Sequence, residues 1–201
     1  MNLHHDREAF EKLLIGASNE LAIPTNIIEK DYYVTITLKM LANKLDNMVF
    51  KGGTSLTKCY HLLDRFSEDI DLSYTAETGN LGEAGKRRLK KAIVATMEEL
   101  GFNITNLEAT KSRRDYNCYR AEYPSIYEQS IILKPELVVE TYVALLPFPT
   151  TKRMVDNYIY RFLSKINRID LVEAYDLMPF EINTQTIERT LADTIILCRD
   201  N

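Results

Sequence analysis

Hydrophobic and polar residues repeat with two different periods along this chain, and the change of period predicts its elements. Apolar positions recur at helical spacing through REAFEKLLIGASNEL and again through PTNIIEKDYYVTITLKMLANKL. Pro24 suits the first turn of the second helix, and Thr25 or Asn26 can cap it. We therefore expect N-terminal helices within residues 1–45.

A short strand, a short helix and a second strand are predicted next. They are MVF (48–50), SLTKCYHLL and DIDLSY, with the glycine pair of KGGTS between the first two. LGEAGKRRLKKAIVATMEELGF is the clearest helical pattern of the chain, and Gly101 is placed to end that helix.

The second half of the chain mixes both periods. NITNLEAT, DYNCYRAEY and LKPELVVETYVAL alternate like strands, and KSRRD between the first two predicts a hairpin. TTKRMVDNYIYRFLSKI and TIERTLADTIILCRDN have helical patterns. The order predicts an α/β (α+β) fold with a mixed sheet flanked by helices. A single domain over 1–201 would then carry a C-terminal helical segment at 151–201.

Composition and charge narrow the classes of protein that fit. The net charge of −4 does not indicate nucleic-acid binding by the molecule as a whole, and no apolar run is long enough to form a signal core or to cross a bilayer. Three scattered cysteines read as free thiols of a reducing compartment. We expect a cytoplasmic protein with no membrane partner. One basic run is either a solvated helix face or an RNA-facing surface: Lys86, Arg87, Arg88, Lys90 and Lys91.

The glycine turn is the first candidate for chemistry. Gly52 and Gly53 lie where a predicted strand ends and a predicted helix begins. A helix N-terminus presents free N–H groups that can bind phosphate. The hydroxyls of Thr54 and Ser55 can cap the helix or donate to a phosphate, and Lys51 and Lys58 add positive charge. GGTSLTK lacks the spacing of a P-loop.

Two aspartates follow within the second predicted strand. Asp69 and Asp71 leave the same face of a strand, so their charges repel unless a cation neutralises them. Mg²⁺ prefers such oxygen ligands together with substrate phosphates. A third carboxylate is expected on a later strand, where Glu140 and Glu136 are the candidates. Pro135 disfavours a central position near Glu136, so Glu140 is preferred.

Each of these residues can also have a purely structural role. A DxD pair can be a solvated strand face, and Ser55 can be a helix cap rather than a nucleophile. The three histidines offer no base for it. His4 and His5 are terminal, and His61 lies within an apolar helical pattern that gives it a structural role.

These motifs resemble a known family. FKGGTSLTK followed by RFSEDIDL resembles the signature of the AbiEii/AbiGii toxin-type nucleotidyltransferases of the DNA polymerase β-like superfamily. IIEKDYYVTITLKML, with Lys30 and Asp31, and TIERTLADTIIL resemble two further helices of that family. The resemblance therefore touches most of the chain and implies a nucleotidyltransferase-type mixed sheet flanked by helices.

The resemblance implies transfer of a nucleoside monophosphate from an NTP to an acceptor such as tRNA or another RNA. The protein would be the toxin of a toxin–antitoxin or phage-defence system, with an antitoxin protein as partner. Asp69 and Asp71 would hold Mg²⁺ (or Mn²⁺), and Glu140 would complete the catalytic triad. Gly52, Gly53 and Ser55 would hold the triphosphate of the nucleotide. Lys58 and Arg65, together with Lys30 and Lys51, are weaker candidates that would serve either the phosphates or structural ion pairs, and Arg65 could equally brace Asp69 or Asp71.

Two departures from the family pattern support an alternative. Thr194 follows Asp193 where the family carries a lysine, and CRDN at the end holds at most the beginning of a further motif. The alternative is a catalytically degenerate module that keeps the fold and binds RNA or a partner protein.

Overall fold

The structure is a computed structural model that describes residues 1–62, 69–75, 81–127, 134–144 and 149–199. Within these ranges the α-helices are α1 (Arg7–Leu21), α2 (Thr25–Lys44), α3 (Gly52–Lys58), α4 (Gly82–Glu99), α5 (Tyr158–Lys165), α6 (Ile169–Ala174) and α7 (Ile187–Arg199). The strands are β1 (Met48–Lys51), β2 (Asp69–Thr75), β3 (Asn103–Ile104), β4 (Tyr116–Glu122), β5 (Glu136–Ala144), β6 (Thr150–Val155) and β7 (Phe180–Gln185).

The strands form one mixed sheet, in the order β3-β4-β5-β2-β1-β7-β6. β2 lies in the middle, parallel to β5 on one side and antiparallel to β1 on the other. β4 is antiparallel to β5, and β7 is parallel to β1. The mixed sheet with its helices confirms the predicted α/β architecture.

Alternation along β4 and β5 gives this half of the sheet one buried and one accessible face. Leu137 and Val139 of β5 and Tyr119 and Ala121 of β4 are almost completely buried. The residues between them form the accessible side, which we call the open face: Tyr116, Cys118, Arg120, Glu136, Val138, Glu140 and Tyr142. The open face is where polar side chains can meet a ligand.

Helix α2 is the buried helix of the fold, and its aromatic residues organise the core. Tyr32 and Tyr33 are almost inaccessible, and the ring of Tyr33 stacks on Tyr123 with 4.5 Å between centroids. The ring of Phe10 in α1 packs against the ring of Tyr32, with 4.8 Å between the ring centroids. No helix within the described ranges is long and apolar enough to cross a membrane.

The predicted helix over TTKRMVDNYIYRFLSKI was wrong in its first half. Thr150–Val155 forms edge strand β6, antiparallel to β7, and the helix begins only at Tyr158. Lys152 and Arg153 break the apolar alternation that marks a strand, but outward-facing charges are usual on an edge strand. The structure also adds β7 and α6, which the sequence patterns did not predict, so residues 151–199 are not purely helical.

Other local predictions had mixed outcomes. Helix α2 starts after Pro24, which is its N-cap, and neither Thr25 nor Asn26 has that role. Helix α3 ends at Lys58, so His61 lies beyond it, exposed and with a positive φ of 53°. Gly101 follows α4 with φ of +73° and donates its N–H to the backbone carbonyl of Glu98, as predicted for a helix end. The hairpin partner β3 is only two residues long.

His4 ties the N-terminus to this core through its ring. Nδ1 shares a hydrogen bond of 2.8 Å with the Tyr32 hydroxyl, and the ring packs 5.5 Å from that of Tyr33. Burial, together with the neighbouring His5, lowers the pKa of His4 to about 4. The fold therefore favours the neutral imidazole.

This burial predicts a pH-dependent stability. Because the unfolded chain binds a proton at His4 more readily, stability should fall as pH drops from about 6.5 towards 4. For a partly exposed ring the loss is roughly 1 to 2 kcal/mol. The free energy of unfolding of wild type minus that of His4→Phe should shrink over this range in urea titrations. A difference that stays constant with pH would contradict this effect of His4 burial.

Candidate active site

The glycine turn brings the start of α3 against β2. Gly52 has φ of +74°, a conformation that L-residues avoid, and it follows Lys51, which pairs with Asp71 across β1 and β2. A Cβ at Gly52 would lie 2.0 Å from Oδ2 of Asp71. Glycine is required here both by the backbone and by the carboxylate packed against it.

The parallel register of β2 and β5 places two carboxylates side by side. Asp71 pairs with Glu140, and Asp69 pairs with Val138 two positions before it. Residues in register share a face, so Asp69, Asp71 and Glu140 belong to one side of the sheet. Ile70 and Leu72 take the other side and are buried, as the alternation predicted.

Electrostatics make this arrangement unfavourable without a cation. Burial raises the pKa of Asp71 to about 6, and the charges of Glu140 and Asp69 act in the same direction. Lys51 opposes them but does not cancel the effect. The site therefore accumulates negative charge that a bound cation would relieve.

The two candidates for the third carboxylate differ in position. Glu136 lies at the start of β5, in register with Glu122, and its carboxylate accepts a hydrogen bond of 2.9 Å from Arg120. Glu140 is the one next to Asp71. Glu140 also accepts a hydrogen bond from the Tyr116 hydroxyl, and this hydrogen bond adds to burial in raising the pKa of that tyrosine to about 12.

The chemistry of the donors fits a hard divalent cation. The three carboxylates supply only oxygen, which Mg²⁺ and Mn²⁺ accept, and Gly52 leaves room for the Asp71 carboxylate. Among the described residues, however, no three His, Cys, Asp or Glu side chains already converge as a metal site. Asp69 and Asp71 are the residues that would hold the ion.

The hydroxyls after the glycine pair are used within the protein. Ser55 is fully buried and donates to the carbonyl of Gly52 at 2.7 Å. Thr54 donates to the carbonyl of Asp69, which joins α3 to β2. Both bonds hold the turn against the acidic strand. A direct contact of Ser55 or Gly53 with a triphosphate stays a prediction.

Lys58 lies in a buried ion pair. Its ammonium donates to Asp31 and to the Thr35 hydroxyl, each at 2.6 Å, and to the carbonyl of Asp156 at 3.2 Å. Both members of the pair are less than a tenth exposed. Lys58 therefore joins α3 to α2 and to the segment before α5, and its predicted contact with nucleotide remains untested.

The remaining basic residues predicted to contact nucleotide or RNA differ in their surroundings. Lys30 is buried in α2, and the ammonium of Lys51 lies 5.6 Å from the ring centre of Tyr142. Arg65 and the rest of RFSE lie outside the described residues. In the basic run of α4, Lys86 pairs with Asp115 and Lys90 donates to the carbonyl of Thr110. Its remaining members are exposed: Arg87, Arg88 and Lys91.

Sequence reasoning missed a polar cleft at the far end of α3. Its volume is about 290 Å³, and its lining includes Asp31, Lys58, His61, Asp156 and Arg161. Arg161 donates to Asp156 at 2.8 Å and lies 3.3 Å from Nδ1 of His61. These residues come from three distant parts of the chain, so no local motif could reveal them. His61 lies on the wall of this cleft, outside the helix in which the sequence pattern placed it.

Comparison with protein families assigns the chain. The family described as nucleotidyl transferase AbiEii toxin, of type IV toxin–antitoxin systems, matches residues 38–199. This chain belongs to the AbiEii family. The match includes the glycine turn, both aspartates and Glu140, and it agrees with the resemblance seen in the sequence motifs. No curated protein matches the sequence.

A solved structure supports the fold of this AbiEii protein. It is similar to MenT4, a nucleotidyltransferase toxin from Mycobacterium tuberculosis H37Rv, with a TM-score of 0.51 and 18% sequence identity. The alignment covers 91% of this chain and 57% of MenT4, so the chain spans little more than half the length of that toxin. At 18% identity, this similarity shows a shared fold and nothing further.

The buried ion pair predicts that Lys58 is needed for stability. Lys58→Met leaves the Asp31 carboxylate buried without its cation, which should lower the free energy of unfolding by about 3 to 5 kcal/mol. Lys12→Met, which removes an exposed pair with Glu8, should change it by about 0.5 kcal/mol or less. Urea titrations compare the two. A small loss for Lys58→Met together with weakened NTP binding would favour a direct nucleotide contact instead.

Two Gly→Ala variants can separate the effect of the close contact between Gly52 and Asp71 from the effect of the positive φ of Gly52. Gly101 has almost the same φ, +73°, and a Cβ added there would meet nothing within 4 Å. Both Gly→Ala changes should therefore lose roughly 1 kcal/mol from the backbone. We expect Mg²⁺ with NTP to raise the melting temperature of the wild type and of Gly101→Ala. Gly52→Ala, which also displaces the Asp71 carboxylate, should lose this increase. An equal response of both variants to Mg²⁺ and NTP would contradict this role for Gly52.

Proposed function

We propose that this chain transfers a nucleoside monophosphate from an NTP to an acceptor hydroxyl and releases pyrophosphate. The observation that carries the proposal is the pairing of Asp71 with Glu140, next to the turn where Gly52 makes room for the Asp71 carboxylate. Family membership supplies the reaction class. The toxin role and an antitoxin partner follow from the same family.

The acidic residues divide the work of this reaction. Asp69 and Asp71 would hold Mg²⁺ or Mn²⁺, which when bound would neutralise charge on the triphosphate. Glu140 accepts the proton of the acceptor hydroxyl, and Tyr116 orients that carboxylate by its hydrogen bond. The acceptor oxygen forms a bond to the α-phosphorus while the bond from that phosphorus to pyrophosphate breaks.

The substrates are placed by the elements on either side of the acidic residues. The triphosphate binds beside Gly52 and Gly53, where Lys51 adds positive charge. Ser55 and Lys58 are both buried and act indirectly, by holding α3 in place, and a contact of Arg65 with the nucleotide stays a prediction. The acceptor is an RNA, with tRNA the first to test. In a cell, the protein would modify its RNA in the cytoplasm. It would do so as a toxin restrained by its antitoxin or as part of phage defence.

A transfer assay with paired variants tests the proposal. The purified protein is incubated with each α-labelled NTP, Mg²⁺ and either tRNA or total RNA, and label in RNA is measured. Glu140→Gln should lower the rate by about a hundredfold or more, because it removes the proton acceptor. Glu136→Gln, which removes a carboxylate paired with Arg120 instead, should retain most of the wild-type rate.

One result would contradict the assignment of Glu140, and another would contradict the function itself. If Glu136→Gln lost more activity than Glu140→Gln, the assignment of the third carboxylate would be wrong. If wild type transferred no nucleotide from any NTP yet formed a stable complex with RNA or an antitoxin, the chain would be the degenerate binding module described above.

A further inference from the structure

Two tyrosines on the open face are exposed beside the acidic residues. Tyr116 is 49% exposed and Tyr142 is 46% exposed, although aromatic rings of this size normally bury most of their surface. Within the described ranges they are the only Phe or Tyr residues that are exposed to this degree. Such exposure next to a candidate active site requires an explanation that core packing does not give.

Their position follows from the register of β4 and β5. Tyr116 pairs directly with Tyr142, and Cys118 pairs with Glu140 two positions away. Directly paired side chains on antiparallel strands lie about 5 Å apart at Cβ, so the two rings are neighbours on the sheet. The hydroxyl of Tyr116 reaches Glu140, and Lys51 lies 5.6 Å from the ring centre of Tyr142. The ring of Tyr116 is thus held beside the Glu140 carboxylate, and the ring of Tyr142 lies beside the Lys51 ammonium.

We propose that Tyr116 and Tyr142 form a stacking platform for a nucleobase of the RNA acceptor. An accessible sheet face with exposed aromatic rings is suited to unpaired bases, because every base has a face that can stack on a ring. The platform would bring the end of a single strand to Glu140, where its hydroxyl loses a proton.

The order of the strands favours the acceptor over the NTP as the source of this base. Gly52 follows β1, on one side of β2, whereas Tyr116 and Tyr142 lie on β4 and β5, on the other side. A triphosphate beside Gly52 and a base on the platform would therefore approach the acidic residues from opposite directions. This inference rests on the proposed function for the identity of the RNA, but the binding itself is measurable without turnover.

Binding of a short unstructured RNA with a fluorescent label, measured by anisotropy without NTP, tests the platform. Tyr142→Ala and Tyr116→Ala should each weaken RNA binding about tenfold, because base stacking is lost. Tyr142→Phe and Tyr116→Phe keep the rings and should bind RNA within about twofold of wild type. Met154→Ala removes a comparably exposed side chain from β6 and serves as the control. Thermal unfolding confirms that each variant is folded.

A second arm titrates a fluorescent NTP with Mg²⁺ into the same variants, and its affinity should not change. Weaker NTP binding with unchanged RNA binding would overturn the proposal and assign the rings to the base of the NTP. RNA binding that is insensitive to both tyrosines but lost in Arg87→Ala/Arg88→Ala would also overturn it and place RNA on α4. Failure of the transfer reaction is a separate result, because it leaves the difference in RNA binding between the Ala and Phe variants intact.

Discussion

The side-by-side pairing of Asp71 and Glu140 is the constraint on which the rest of the site depends. Two carboxylates in register on adjacent parallel strands repel. Burial raises the pKa of Asp71, and the repulsion from Glu140 adds to that effect. The sheet can hold them because their neighbours on the strands, Ile70 and Val139, are fully buried on its other face. Apolar burial thus fixes a register that the charges alone would oppose, and a cation is the natural partner of such a pair.

The surroundings serve this pair in different ways. Gly52 leaves the space that the Asp71 carboxylate occupies, and Thr54 ties the start of α3 to the acidic strand. At the other end of α3, the buried pair of Lys58 with Asp31 connects the helix to α2. The short helix is therefore fixed at both ends, which gives the glycine turn a defined place beside the carboxylates. Preorganisation of this kind is what phosphoryl transfer requires of a protein.

The sequence predicted the centre of the site better than its periphery. Asp69, Asp71 and the glycine turn lie within one short segment, so strand alternation alone places them on one face. The choice of Glu140 over Glu136 depended on Pro135 and agrees with the register of β5. Strand β6 was wrongly predicted as helix because its pairing with β7, and not its local pattern, decides its structure. The cleft around Arg161 and the exposure of Tyr116 and Tyr142 depend on tertiary contacts, which no local pattern records.

The central claim is that Asp69 and Asp71 form a metal-dependent site for a triphosphate. Isothermal titration calorimetry of each NTP into wild type, Asp69→Asn and Asp71→Asn, with and without Mg²⁺, tests it most directly. We predict binding to wild type that requires Mg²⁺ and that disappears in both variants while their folds remain intact. Binding of an NTP that is independent of Mg²⁺, or unchanged in either variant, would contradict the claim.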